Sequence, residues 1–87
     1  MEHFTTVLIA DNSDEFCAGL SEALQRSEGF QVVGTANDGE QALRMVAERK
    51  PEILVLDLML SKKDGISILK AISTMETKPI TLATSRF

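Results

Sequence analysis

Ile53-Leu54-Val55-Leu56-Asp57 runs four apolar residues into a single carboxylate, and the fold turns on that stretch. Two of the four are β-branched and neither face is polar, the mark of a strand in the middle of a parallel sheet, covered on both faces. A carboxylate placed among apolar residues costs free energy unless it is paired or used, so Asp57 marks a candidate site. Working outward, Thr6-Val7-Leu8-Ile9-Ala10 is a second short apolar run, ending at Asp11-Asn12-Ser13. Phe30-Gln31-Val32-Val33-Gly34 predicts a third strand, and Pro79 introduces a last one over residues 80–84, ending at Thr84.

Between the strands, apolar residues recur at helical spacing: Phe16, Leu20, Ala23 and Leu24, then Ala42, Leu43, Val46 and Ala47, then Ile68, Leu69 and Ile72. Either Asn12-x-x-Glu15 or Ser13 caps the first helix by accepting free backbone N–H groups, and Ser27-Glu28-Gly29 ends it. Ala36-Asn37-Asp38-Gly39 turns into the second helix, whose negative end carries Arg49 and Lys50. Pro51, which lacks a backbone donor, stops that helix. Residues 58–65 form a loop in which Asp64 shapes the turn and Gly65 supplies flexible backbone. Strands alternating with helices in this way predict right-handed β-α-β units and an α/β fold with a parallel sheet.

At 87 residues the chain has room for one domain, 44% hydrophobic and 25% charged, which argues against disorder. The net charge is −4 with no basic run, so no electrostatic footprint for nucleic acid is present. Any DNA contact is expected from an effector domain outside this chain. No apolar stretch is long enough to span a bilayer, and the first residues do not form a signal peptide. The single cysteine, Cys17, cannot form an internal disulfide and reads as a packing residue in a reducing, cytoplasmic setting. His3 has no metal-ligand partners in the sequence.

Parallel sheets bind ligands beyond the carboxyl ends of their strands. Three such ends deliver short oxygen-bearing side chains: Asp11 and Asn12, Asp57, and Thr84. Carboxylates held close together repel one another and invite a hard divalent cation such as Mg²⁺. In such a cluster Asp57 is placed as a nucleophile that forms an acyl phosphate, with the cation offsetting the charge that develops. The Thr84 hydroxyl can donate to a phosphoryl oxygen.

Those residues, in order, are Val7-Leu8-Ile9-Ala10-Asp11-Asn12, Leu54-Val55-Leu56-Asp57-Leu58-Met59-Leu60, Asp64-Gly65 and Pro79-Ile80-Thr81-Leu82-Ala83-Thr84. Together they resemble the receiver domain of two-component response regulators, across the whole chain. Within that family, Ile9-Ala10-Asp11-Asn12-Ser13-Asp14-Glu15-Phe16-Cys17 and Val55-Leu56-Asp57-Leu58-Met59-Leu60 resemble the master sporulation regulators of clostridia-like Firmicutes. The resemblance implies a flavodoxin-like parallel sheet with helices on both faces. It implies that Asp57 accepts a phosphoryl group from a phosphohistidine on a histidine kinase or phosphotransferase. Asp11, Asn12, Asp57 and the backbone carbonyl of Met59 would hold Mg²⁺, and Thr84 would be the switch hydroxyl. In longer relatives this switch acts on a DNA-binding domain and promotes dimerisation.

Three departures from the family pattern qualify these expectations. Asn12 replaces the second acid of a pair, which predicts weaker Mg²⁺ binding. Ser61 stands where the family usually has proline. The chain, 1–87, is expected to be a receiver that stops after its fourth strand, lacking the last helix-strand-helix with its phosphate-contacting lysine and aromatic switch residue. An uncovered fourth strand predicts self-association, and the missing lysine, a positive group for the phosphoryl oxygens, predicts poor phosphorylation. A degenerate receiver that acts as an interaction or dimerisation module is therefore the alternative to a phosphoacceptor. A hydrolytic phosphatase needs a general acid near its nucleophile, and Met59, two residues beyond Asp57, cannot be one.

Overall fold

The structure is a computed structural model that describes residues 3–60 and 65–85. Its elements run β1 (Thr5–Ala10), α1 (Asp14–Arg26), β2 (Phe30–Ala36), α2 (Gly39–Arg49), β3 (Ile53–Asp57), α3 (Gly65–Ser73) and β4 (Ile80–Thr84). All the strand pairings are parallel and the sheet order is β2-β1-β3-β4. The expected α/β sheet with helices on both faces is what forms. Ser61 and Asp64, singled out in the sequence, lie outside the described residues.

Alternation along β1 splits the core in two. Leu8 and Ala10 face a cluster with Ala42, Met45 and Val46 of α2, Leu54 and Leu56 of β3, and Ile68 and Ile72 of α3. Val7 and Ile9 point the other way, to Cys17 of α1, with Phe16, Leu20 and Leu24 packed around them. Because β1 leads to β2 on one side and β2 leads across to β3 on the other, right-handed crossovers put α1 on one face and α2 on the opposite one.

Of the two candidate caps for α1, Ser13 takes the role: its Oγ accepts from the Phe16 N–H at 3.2 Å. Asp38 caps α2 by accepting from the Gln41 N–H at 2.8 Å, while Gln41 Oε1 accepts from the Asn37 N–H. The second helix ends at Lys50 in the left-handed region (φ 47°), one residue before Pro51.

Three expectations need correction. Strand β2 continues past Gly34 to Ala36, because Gly34 pairs with Leu8 after a bulge at Val33 rather than ending the strand. On α2 it is Met45 that is buried, while Ala47 is exposed. Finally, β3 is internal but is not fully covered on both faces. Helix α1 packs on β2 and β1, so Ile53 and Val55, on the α1 side of β3, are only half-buried. On the same face, their register partners Ile80 and Leu82 in β4 are 67% and 53% exposed.

Candidate functional site at the carboxyl rim of the sheet

Strand β1 delivers Asp11 and strand β3 delivers Asp57. Ala10 is in register with Leu56, so the two aspartates leave neighbouring strands at the same rim, about 4.8 Å apart in strand spacing. Here the direction of the connections reverses, β1 leading to α1 on one face and β3 to α3 on the other, which is where such sheets form a crevice. Both carboxylates are nearly removed from solvent, Asp11 at 1% exposure and Asp57 at 5%.

The two loops hold their aspartates in the same way. Asp11 Oδ1 accepts from the Ser13 N–H at 2.8 Å, and Asp57 Oδ1 accepts from the Met59 N–H at 2.9 Å. Each is an Asx-type turn in which the side chain mimics a backbone acceptor two residues on. Such a bond satisfies part of a buried carboxylate's demand for partners and fixes its orientation. Ser13 therefore ties the acidic loop to the cap of α1, and Cys17 adds a second tie, its thiol donating to the Asp11 carbonyl at 3.4 Å. Cys17 packs in the core as its sequence position predicts, and this further contact follows from its place one turn into the helix after Asp11.

Thr84 ends β4 in register with Asp57. Its Oγ1 donates to the Leu56 carbonyl at 3.4 Å, and its own carbonyl accepts from the Leu58 N–H at 2.9 Å. The segment beyond Asp57 is closed by Gly65, whose N–H donates to the Leu58 carbonyl at 3.0 Å. Gly65 is needed there for closeness rather than flexibility: a Cβ would stand 2.6 Å from the Leu58 Cα. Asn12 and Met59 flank the rim as exposed residues, Met59 at 65%.

The structure thus brings Asp11, Asn12, Asp57, Met59 and Thr84 to one rim. Among the described residues no group of three or more His, Cys, Asp or Glu side chains is placed to hold a metal ion. The oxygen donors expected for Mg²⁺ are two carboxylates, the Asn12 amide and the Met59 carbonyl. Hard divalent cations take oxygen ligands, and Mg²⁺ is commonly held by only one or two carboxylates, so these residues fit it. A groove of about 540 Å³ lined by His3, Phe4, Gln25, Ser27, Glu28, Gly29 and Phe30 lies at the other end of the sheet and holds none of the expected site residues.

Residues 7–86 match the family model of the response regulator receiver domain. Protein-glutamate methylesterase/protein-glutamine glutaminase 5 of Myxococcus xanthus is 40% identical over 73 residues, covering 84% of this chain and 21% of its own length. The alkaline phosphatase synthesis transcriptional regulatory protein PhoP of Bacillus subtilis is 37% identical over 81 residues, covering 92% of this chain and 33% of its own. Among solved structures, the signal receiver domain of NarL from Mycobacterium tuberculosis superposes with a TM-score of 0.90 at 29% identity, covering 95% of this chain and 67% of that one. The chain spans about a fifth to two fifths of the length of the curated relatives it matches. Among the described residues no helix is long and apolar enough to cross a membrane.

Proposed function

Because this chain belongs to the response regulator receiver domain family, we propose that it is the phosphoacceptor of a phosphorelay, with Asp57 as the residue that is phosphorylated. The observation that carries this reading is the pair of buried aspartates at one rim, Asp57 oriented by the Met59 N–H and Asp11 beside it at the end of the next strand. An Asp57 carboxylate oxygen attacks the phosphorus of a phosphohistidine on a kinase or phosphotransferase. The P–O bond to Asp57 forms as the P–N bond breaks, and the imidazole leaves with a proton. Mg²⁺, when bound, neutralises charge on the phosphoryl oxygens. Asp11, Asn12 and the Met59 carbonyl are the residues to hold it, and Thr84 is the hydroxyl to meet the new phosphoryl group. Phosphorylation and its slow reversal are the only chemistry in this reading, in a cytoplasmic setting.

The transcriptional regulators among the relatives support an output in transcription. The stretches from Ile9 to Cys17 and from Val55 to Leu60 support placing that output in sporulation. The net charge of −4 without a basic run supports DNA contact by some part other than these 87 residues. Incubation with acetyl phosphate and Mg²⁺ followed by intact mass measurement tests the reading. A phosphoryl adduct that is lost in Asp57→Asn is the expected result, and the absence of any adduct would overturn it.

A specific feature favours a second reading, in which the chain is an interaction module that self-associates without phosphorylation. Both sheet edges are strands, but they differ. The β2 edge is broken by the bulge at Val33, whose carbonyl accepts from Arg49 Nη1. Among the described residues β4 pairs only with β3, and it carries no charge, proline or bulge between Ile80 and Thr84. An unblunted apolar edge is a template for another strand. Sedimentation equilibrium checks this, and a monomer at every concentration would remove it.

A further inference from the structure

Asp11 is held at three points. Its N–H donates to the Ala36 carbonyl of β2 at 2.9 Å, its Oδ1 accepts from the Ser13 N–H at 2.8 Å, and its carbonyl accepts from the Cys17 thiol at 3.4 Å. The last two partners belong to one unit, because the Cys17 N–H donates to the Ser13 carbonyl at 3.0 Å in the first turn of α1. Cys17 is buried and packs with Val7 and Ile9 of β1, the strand that delivers Asp11. A ring therefore runs from β1 through Asp11 to Ser13 and Cys17, and back through the core to β1. Asp57 is held differently, its Oδ1 accepting from the N–H of Met59, an exposed residue of its own loop.

We infer that Ser13 and Cys17 are a positioning pair that fixes the Asp11 carboxylate at the rim before any ligand arrives. This rests on the reading of Asp57 as phosphoacceptor. Ser13 orients the carboxylate through its N–H. Cys17 holds the Asp11 carbonyl, and because the peptide unit is planar this fixes the whole link from Asp11 to Asn12. The thiol is a weak donor, but at a buried position water does not compete with it. Charged groups locked by their neighbours cost no reorganisation when charge develops beside them. Both residues act through Asp11 and not on the phosphoryl group itself.

The experiment compares the 87-residue chain as wild type, Cys17→Val and Cys17→Thr. The two variants share a shape and differ in the donor. Adduct formation with acetyl phosphate and Mg²⁺ is timed by intact mass, and stability is read by denaturant titration. Exchange of the Ser13 amide hydrogen is followed by NMR relative to the Ile9 amide in the core, which corrects for overall stability. Cys17→Val is expected to form the adduct about tenfold more slowly than wild type, short of the roughly 100-fold that a 1 Å misplacement costs. Its Ser13 amide should exchange faster, by up to about tenfold, the worth of one hydrogen bond. Cys17→Thr buries a hydroxyl and should be the less stable of the two variants, yet the faster to be phosphorylated. A packing role alone gives the opposite order, with the rate following stability. A Cys17→Val chain no slower than Cys17→Thr, or a Ser13 amide unchanged in Cys17→Val, overturns the inference and leaves the phosphoacceptor reading standing. A wild type that forms no adduct overturns that reading instead, and the Ser13 amide then decides whether the pair holds Asp11.

Discussion

Thr84 stands in register with Asp57, yet its hydroxyl donates to the Leu56 carbonyl at 3.4 Å. The bond is at the long limit of hydrogen-bond geometry, so little holds the hydroxyl in that position. Thr84→Val keeps the β-branched shape and removes the donor. It should cost only about 0.5 kcal/mol in the resting protein, the low end for a hydrogen bond. Acetyl phosphate should raise the melting temperature of wild type and of Thr84→Ser but not of Thr84→Val. An equal rise in all three would show that the hydroxyl does not meet the phosphoryl group.

Asp57→Asn keeps an oxygen to accept from the Met59 N–H but removes one of two buried like charges on neighbouring strands. In the absence of Mg²⁺ the variant should be more stable than wild type by about 1 kcal/mol at neutral pH, because carboxylates sharing a site repel. Mg²⁺ should stabilise wild type and close the gap, with little effect on the variant. Denaturant titrations with and without Mg²⁺ measure both quantities.

The contrast between two glycines isolates the role of close approach. At Gly65 a Cβ would meet the Leu58 Cα at 2.6 Å and the Leu58 carbonyl oxygen at 3.0 Å, both backbone atoms that a rotamer change cannot move. Gly65→Ala should therefore cost about 1–3 kcal/mol, as overpacking does, and should slow phosphorylation of Asp57 by displacing the segment beside it. At Gly19, on the exposed side of α1, a Cβ meets nothing within 4 Å. Gly19→Ala should stabilise by about 0.5–1 kcal/mol through helix propensity, with phosphorylation unchanged.

Much of this was legible in the sequence because the signals were local. Four apolar runs, three of them leading to Asp11, Asp57 and Thr84, with helical spacing between the runs, are enough for a parallel sheet with its polar residues on one rim. What escaped depended on contacts between elements. Gly34 reads as the end of a strand, but in the sheet it faces Leu8 after the bulge. The space left by its missing side chain is where Met45 Cε approaches, which is why Met45 rather than Ala47 completes the buried face of α2. The half-covered state of Ile53 and Val55 follows from where α1 lies, and no periodicity within β3 encodes that.

Lys50 shows a similar limit at the end of α2. Pro51 marks the stop, but the turn is made by Lys50 at φ 47°, a conformation that crowds the Cβ of any residue except glycine. Its backbone N–H donates to the Val46 carbonyl, which glycine would preserve. Lys50→Gly should stabilise the chain by about 0.5–1 kcal/mol, the relief of left-handed strain less the added entropy of the unfolded state. A rise in the denaturant midpoint with unchanged slope is the expected signature.

The edge of β4 yields the prediction that separates the two functional readings. Ile80 and Leu82 continue the apolar stripe of Ile53 and Val55 across the α1 face of the sheet and are 67% and 53% exposed. Self-association through this edge draws on that stripe and on the β4 backbone groups that pair with no strand among the described residues. Leu82→Lys places a charge on the stripe, a device that natural edge strands use against pairing, and should shift the chain to monomer in sedimentation equilibrium. Leu82 pairs with Val55 and lies two residues short of Thr84, outside the group around Asp57. Adduct formation with acetyl phosphate should therefore persist in Leu82→Lys if phosphorylation is independent of self-association. An association constant unchanged by Leu82→Lys would place the contact elsewhere. Loss of the adduct together with the oligomer would make self-association a condition of phosphorylation, so that the two readings describe one activity.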